Sequence, residues 1–124
     1  MHIHYISEEN SILNHFLAQI RDVNIQKDSM RFRKNIERIG EIMAYELSKT
    51  LDYKEIDVQT PLGIKHTTTI AEPVVLCSIL RAGLALHQGF MSFFDNAENG
   101  FVSAYRHHYD NDDKFEILVE YQAA

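Results

Sequence analysis

Arg81 is the residue of this chain whose position most invites chemistry. In the stretch EPVVLCSILRAGLALHQGFMSFFD, Glu72 to Asp95, a run of apolar residues ends at Leu80, and Arg81, Ala82 and Gly83 follow before an apolar pattern resumes. A guanidinium is charged at any physiological pH and presents a planar fork of donors that matches phosphate oxygens. Ala82 and Gly83 carry almost no side chain, so a ligand could approach their amides. A helix beginning at Leu84 would aim its unpaired N–H groups and the positive end of its dipole at the same point. Together these make an anion site suited to phosphate or pyrophosphate. The competing reading is a solvated arginine at a strand end with an ordinary turn glycine, and the short pattern alone leaves both open.

Arg106 is the second candidate. It ends another apolar run, FVSAY, in the unit that follows the first. Two successive elements that each deliver an arginine to one sheet edge argue more strongly than either does alone. Taken by itself, Arg106 reads as a surface ion-pair partner of Asp110, Asp112 or Asp113. The cluster His107, His108, Asp110, Asp112 and Asp113 has the composition of a metal site. Its spacing fits neither a calcium loop nor a zinc motif, so a polar turn between strands is the better reading. Cys77 lies inside the apolar run and reads as a small buried hydrophobe. His2 and His4 have no evident partner. No Walker A loop is present, and no Ser/His/Asp arrangement stands out.

The elements that must hold these residues follow from periodicity. SEENSILNHFLAQIRD carries Leu13, Phe16, Leu17 and Ile20 at helical spacing, with Ser7 as a candidate N-cap. NIQK is a connector. A longer helix is expected from Met30 to Leu51, capped by Asp28 or Ser29, with Phe32, Ile36, Ile39, Met43 and Leu47 as its apolar stripe. Gly40 in its middle costs about 1 kcal/mol relative to alanine, which suggests a close packing contact. KEIDVQTPLGIKHTTTI switches to alternation and predicts a β-hairpin with its turn at Pro61 to Gly63. So thin a hairpin needs something to pack on, and a partner subunit is one candidate. Val74–Leu80 predicts a strand covered on both faces. Leu84–Phe94 is then a helix, with Leu84, His87, Met91 and Phe94 on one face. Gly100–Arg106 and Lys114–Tyr121 are further strands. Strand, helix, strand in that order predicts an open α/β sheet, in which ligands bind beyond the carboxyl ends of the strands.

Composition narrows the function classes. The chain has 124 residues, 45% hydrophobic and 24% charged, with a formal net charge of −6. That balance fits a folded domain and disfavours a broad nucleic-acid or anionic-membrane surface. A local arginine pair can still hold a small anion, because charges more than about 8 Å apart are largely screened. A single cysteine excludes an internal disulfide and fits a reducing interior, and no signal peptide or membrane span is evident. The expectation is a soluble cytoplasmic protein.

ILRAGLALHQGF followed by SAYR closely resembles the uracil phosphoribosyltransferases of pyrimidine salvage. Upstream, FRKNIERIGEIMAYEL and VQTPLG resemble that family's N-terminal region in the same order. The resemblance implies a type I phosphoribosyltransferase fold: a parallel α/β sheet, incomplete here, with N-terminal helices and a β-hairpin arm. It implies transfer of the 5-phosphoribosyl group from phosphoribosyl pyrophosphate to uracil with Mg²⁺ assisting. Arg81, on a loop with Ala82 and Gly83, and Arg106 would hold the donor's pyrophosphate, and the VQTPLG arm would join a homodimer or higher homo-oligomer. Residues 1–71 would form the helices and arm, and 72–124 the first part of the core. The family's Asp-Pro-Met-Leu-Ala-Thr-Gly-type segment for the ribose 5-phosphate and its uracil-reading stretch have no counterpart here. An inactive N-terminal portion is therefore expected. The alternatives are a non-catalytic pyrophosphate-binding or dimerising module, and a phosphoribosyltransferase for another base.

Overall fold

The computed structural model describes residues 3–108 and 115–123, with side chains over 3–105 and 117–120. Helix α1 spans Ile12–Arg21 and α2 spans Ser29–Ser48, joined by a short 3₁₀ turn at Ile25–Lys27. Ser11, not Ser7, caps α1: its hydroxyl accepts from the Leu13 N–H at 3.2 Å. Asp28 caps α2 by accepting from the Arg31 N–H at 3.1 Å. Each cap satisfies one of the N–H groups that a helix start leaves without a partner.

The apolar stripe of α1 buries Leu13 against α2. The buried line of α2 runs through Asn35, Ile39, Gly40 and Ala44, rotated from the expected stripe, and Leu47 is left exposed. The buried Asn35 is satisfied on both sides. Its Nδ2 donates to Gln19 Oε1 at 2.7 Å, and its Oδ1 accepts from Arg38 Nη1 at 3.1 Å. An unsatisfied amide there would cost about 1–3 kcal/mol, so this bridge locks α1 to α2 in one register.

Strands β1 (Tyr53–Thr60) and β2 (Gly63–Ile70) form the expected antiparallel hairpin. Its turn rests on Gly63, whose φ of 133° is a conformation that other residues adopt only under strain. The Thr60 hydroxyl donates to the Gly63 carbonyl at 2.7 Å and closes the turn. The hairpin is a separate two-stranded sheet, anchored where Ile70 packs on the core and otherwise solvated; Leu62 at its tip is 100% exposed.

The second sheet has the order β3–β4–β5, from Val75–Leu80, Glu98–His108 and Phe115–Ala123. Helix α3 (Leu84–Met91) crosses from β3 to β4, which pair in parallel, Leu80 opposite Ser103. Strand β5 returns antiparallel to β4, because the short connection 109–114 cannot make the long crossover a parallel partner needs. The sheet is thus mixed, where the resemblance implied a parallel one. His107 and His108 belong to β4 rather than to a polar turn, while Asp110, Asp112 and Asp113 lie outside the described residues.

The expectation that β3 is covered on both faces does not hold. Leu76 packs with Ala44 and Phe94 in the core, but Val75 and Ile79 are 63% and 60% exposed, and Cys77 is exposed rather than buried. Strand pairing puts Val102, Ala104, Ile117 and Val119 on that same outer face. Apolar content set the expectation, but burial depends on what lies across the sheet, and α2 and α3 cover one side.

Candidate functional site

The site is built where β3 ends and α3 begins. Arg81, Ala82 and Gly83 form the whole connection, so the loop is tightly braced by its own backbone. The Gly83 N–H donates to the Ile79 carbonyl at 2.9 Å, the Leu84 N–H to the Arg81 carbonyl at 3.2 Å, and the His87 N–H to the Gly83 carbonyl at 2.9 Å. Gly83 caps α3 with φ −72° and ψ −12°. The peptide between Leu80 and Arg81 is cis.

Gly83 has a different reason from the one its sequence suggested. A methyl group there would lie 2.7 Å from the Ile79 carbonyl oxygen and 3.4 Å from Ser78 Cβ. Its missing side chain faces the strand, so the glycine lets the helix start close against β3. Ala82 is exposed, and the Ala85 and Leu86 N–H groups at the start of α3 take no acceptor from the loop backbone. These donors and the exposed Arg81 lie at the junction where β3 ends and α3 begins. Among the described residues Arg81 forms no salt bridge.

Arg106 lies on the adjacent strand, its backbone paired with Ile117. Since Leu80 is level with Ser103, Arg106 stands slightly beyond Arg81 along the same sheet edge. Its side chain lies outside those described. The strand register thus brings both arginine positions to the carboxyl ends of parallel neighbours, where open α/β sheets bind ligands.

Sequence reasoning missed what lies beneath the loop. His87, one turn into α3, is only 6% exposed. Its Nδ1 sits 2.7 Å from Ser78 Oγ on β3, its Nε2 lies 2.8 Å from Asn99 Oδ1 on β4, and its ring rests on Phe101 with centroids 5.0 Å apart. Asn99 Nδ2 donates to the Ala97 carbonyl at 3.2 Å, which turns Oδ1 toward the histidine. In the neutral ring Nε2–H therefore donates to Asn99, and Nδ1 accepts from the Ser78 hydroxyl. The available signal was weak: a histidine on the apolar face of a helix, with a serine and an asparagine in the flanking strands.

Among the described residues no group of three or more His, Cys, Asp or Glu side chains is arranged to hold a metal ion. An ion carried by a substrate's phosphates needs no such cage, since Mg²⁺ is commonly held by phosphates with one or two carboxylates. Among the same residues no helix is long and apolar enough to cross a membrane.

Comparison with known proteins places this architecture. A family model described as "UPRTase: Uracil phosphoribosyltransferase" matches residues 6–119. A uracil phosphoribosyltransferase of Porphyromonas gingivalis is 48% identical over 124 residues, covering 100% of this chain and 57% of the relative. One from Thermococcus gammatolerans is 37% identical over 119 residues, covering 94% of this chain and 51% of the relative. A solved structure, the AQ2163 protein from Aquifex aeolicus, superposes with a TM-score of 0.76 at 25% identity, covering 96% of this chain and 55% of that one. The chain spans about half the length of the curated relatives it matches. With Arg81 between a parallel strand and a helix start inside the matched region, the chain belongs to the uracil phosphoribosyltransferase family.

Proposed function

We propose that these residues supply the pyrophosphate-holding part of an enzyme that transfers a 5-phosphoribosyl group from phosphoribosyl pyrophosphate to N1 of uracil. The observation that carries this reading is the Arg81–Gly83 loop, which presents an exposed guanidinium and free helix N–H groups together at the end of β3. In the reaction the bond from ribose C1′ to the pyrophosphate oxygen breaks, and a bond from C1′ to uracil N1 forms. Pyrophosphate leaves with the bonding electrons, and the N1 proton passes to solvent.

Negative charge grows on the departing pyrophosphate, so donors already aimed at it lower the barrier. Arg81 offers charge-assisted hydrogen bonds, and the start of α3 adds fixed partial charge without reorganisation. Arg106 is the second donor-binding arginine in this reading. A magnesium ion bound with the donor would be held by its phosphates and would supply further charge neutralisation there. The protein works in the cytoplasm as a homodimer or higher homo-oligomer joined through the hairpin.

The test is a chimera that joins this chain to the portion of the Porphyromonas gingivalis relative lying beyond the matched region. UMP formed from uracil and phosphoribosyl pyrophosphate supports the assignment, whereas the 124-residue polypeptide alone is expected to form none. A folded chimera that binds pyrophosphate without making UMP would point to a non-catalytic anion-binding module, and product from a different base would correct the acceptor.

A further inference from the structure

From the Ser78–His87–Asn99 network we infer that His87 is a positioning residue for the Arg81–Gly83 loop, acting through Ser78. The inference rests on reading that loop as an anion site, and its test separates the two. His87 is one side chain that touches both strands that lead to the arginine positions. Ser78 on β3 stands three residues before Arg81 in the loop that follows, and Asn99 lies on β4, which carries Arg106 near its end. The loop leaves β3 and enters α3, so its shape is set by where α3 starts relative to β3. Ser78 and His87 tie those two elements together directly beneath it at 2.7 Å, while the His87 N–H holds the Gly83 carbonyl at 2.9 Å.

A histidine meant only to fill space would be replaced at little cost by an apolar residue of similar size. Here both ring nitrogens are satisfied, and Asn99 is itself oriented by the Ala97 carbonyl. Fully satisfied buried polar networks fix one arrangement among several that apolar packing would allow. Donors must hold their geometry closely if they are to meet a leaving group as charge develops. The network therefore belongs to the loop's precision and not merely to the stability of the fold.

The two ring contacts can be separated by substitution. In His87→Asn the side-chain oxygen falls near the former Nδ1 and can still accept from Ser78, while the link to Asn99 is lost. In His87→Gln the amide reaches toward the former Nε2 and can donate to Asn99, while the link to Ser78 is lost. Two readouts apply to the 124-residue chain and each variant: hydrogen exchange of the Gly83 amide against that of Ala44 in α2, and calorimetric binding of inorganic pyrophosphate. The expected result is that His87→Asn keeps Gly83 protection and pyrophosphate affinity within about twofold of the parent. His87→Gln should lose about tenfold in both with Ala44 exchange unchanged, the effect of one neutral hydrogen bond. If the two variants behave alike, or Gly83 exchange changes only in step with Ala44, the positioning role is overturned. If Gly83 exchange separates the variants while all bind pyrophosphate equally, the role in anion binding is overturned. If exchange separates them and the parent binds no pyrophosphate, the positioning of the loop stands and the anion reading fails.

Discussion

Gly40 of α2 and Gly89 of α3 meet backbone to backbone: a methyl group on Gly89 would lie 2.9 Å from the Gly40 Cα, and one on Gly40 would lie 2.5 Å from the Leu86 carbonyl oxygen. This contact seats α3 on α2 and so fixes where the start of α3, with Gly83, stands over the sheet. Replacing Gly89 by alanine gains about 1 kcal/mol in helix propensity. The obstacles are backbone atoms that cannot rotate away, and overpacking of that kind costs about 1–3 kcal/mol. Gly89→Ala should therefore be less stable than the parent in urea denaturation, and an equal or higher midpoint would show that the helices separate without penalty.

Arg81 is exposed and forms no salt bridge among the described residues, so Arg81→Ala should leave the unfolding midpoint nearly unchanged. Its effect belongs to the ligand. Losing a charge-assisted hydrogen bond is worth about 1.5–3 kcal/mol, so pyrophosphate affinity measured by calorimetry should fall at least about tenfold. Unchanged affinity removes Arg81 from the site.

Gly83→Ala tests the loop from the other side. The added methyl would press on the Ile79 carbonyl oxygen from 2.7 Å and push the start of α3 off β3. A loss of about 1–3 kcal/mol is expected in the same denaturation assay. Full stability with normal Gly83-region amide shifts would mean that the loop has room to spare.

Cys77 stands on the uncovered face of β3, with its sulfur 3.7 Å from where a methyl on Gly100 would sit. A thiol reagent should label it in the native 124-residue chain at a rate close to that of the unfolded chain. Protection that only denaturant relieves would show that this face is covered in solution.

Leu62 at the hairpin tip contributes no burial within the chain. Leu62→Lys should shift sedimentation toward the monomer, and lower the unfolding midpoint only by the stability that subunit association contributes, if the hairpin joins subunits as proposed above. A sedimentation profile identical to the parent's would move the subunit contact elsewhere.

Much of this was legible in the order of residues. The stripe Leu13, Phe16, Leu17 and Ile20, the cap at Asp28, the turn before Gly63 and the strand ending at Leu80 each depend on neighbours close in sequence. Local backbone sterics and side-chain periodicity set them, and they put Arg81 at a strand end before any fold was known. Gly40 was legible for a related reason, since a glycine inside a helix must be offset by a close contact.

What the order of residues could not decide was which surfaces meet. Cys77 and Ile79 read as buried because apolar residues favour burial, yet exposure is set by the partner across the sheet, and α3 lies on the other side. Gly83 read as bare backbone for a ligand, while its missing side chain faces β3. His87 read as one more residue of a helix face, and only the parallel crossover brings Ser78 and Asn99 to its two nitrogens. The chain by itself determined the elements and the cation at the strand end. The tertiary structure decided what that cation's loop is fastened to, because a hydrogen-bond network drawn from three elements exists only once their register is fixed.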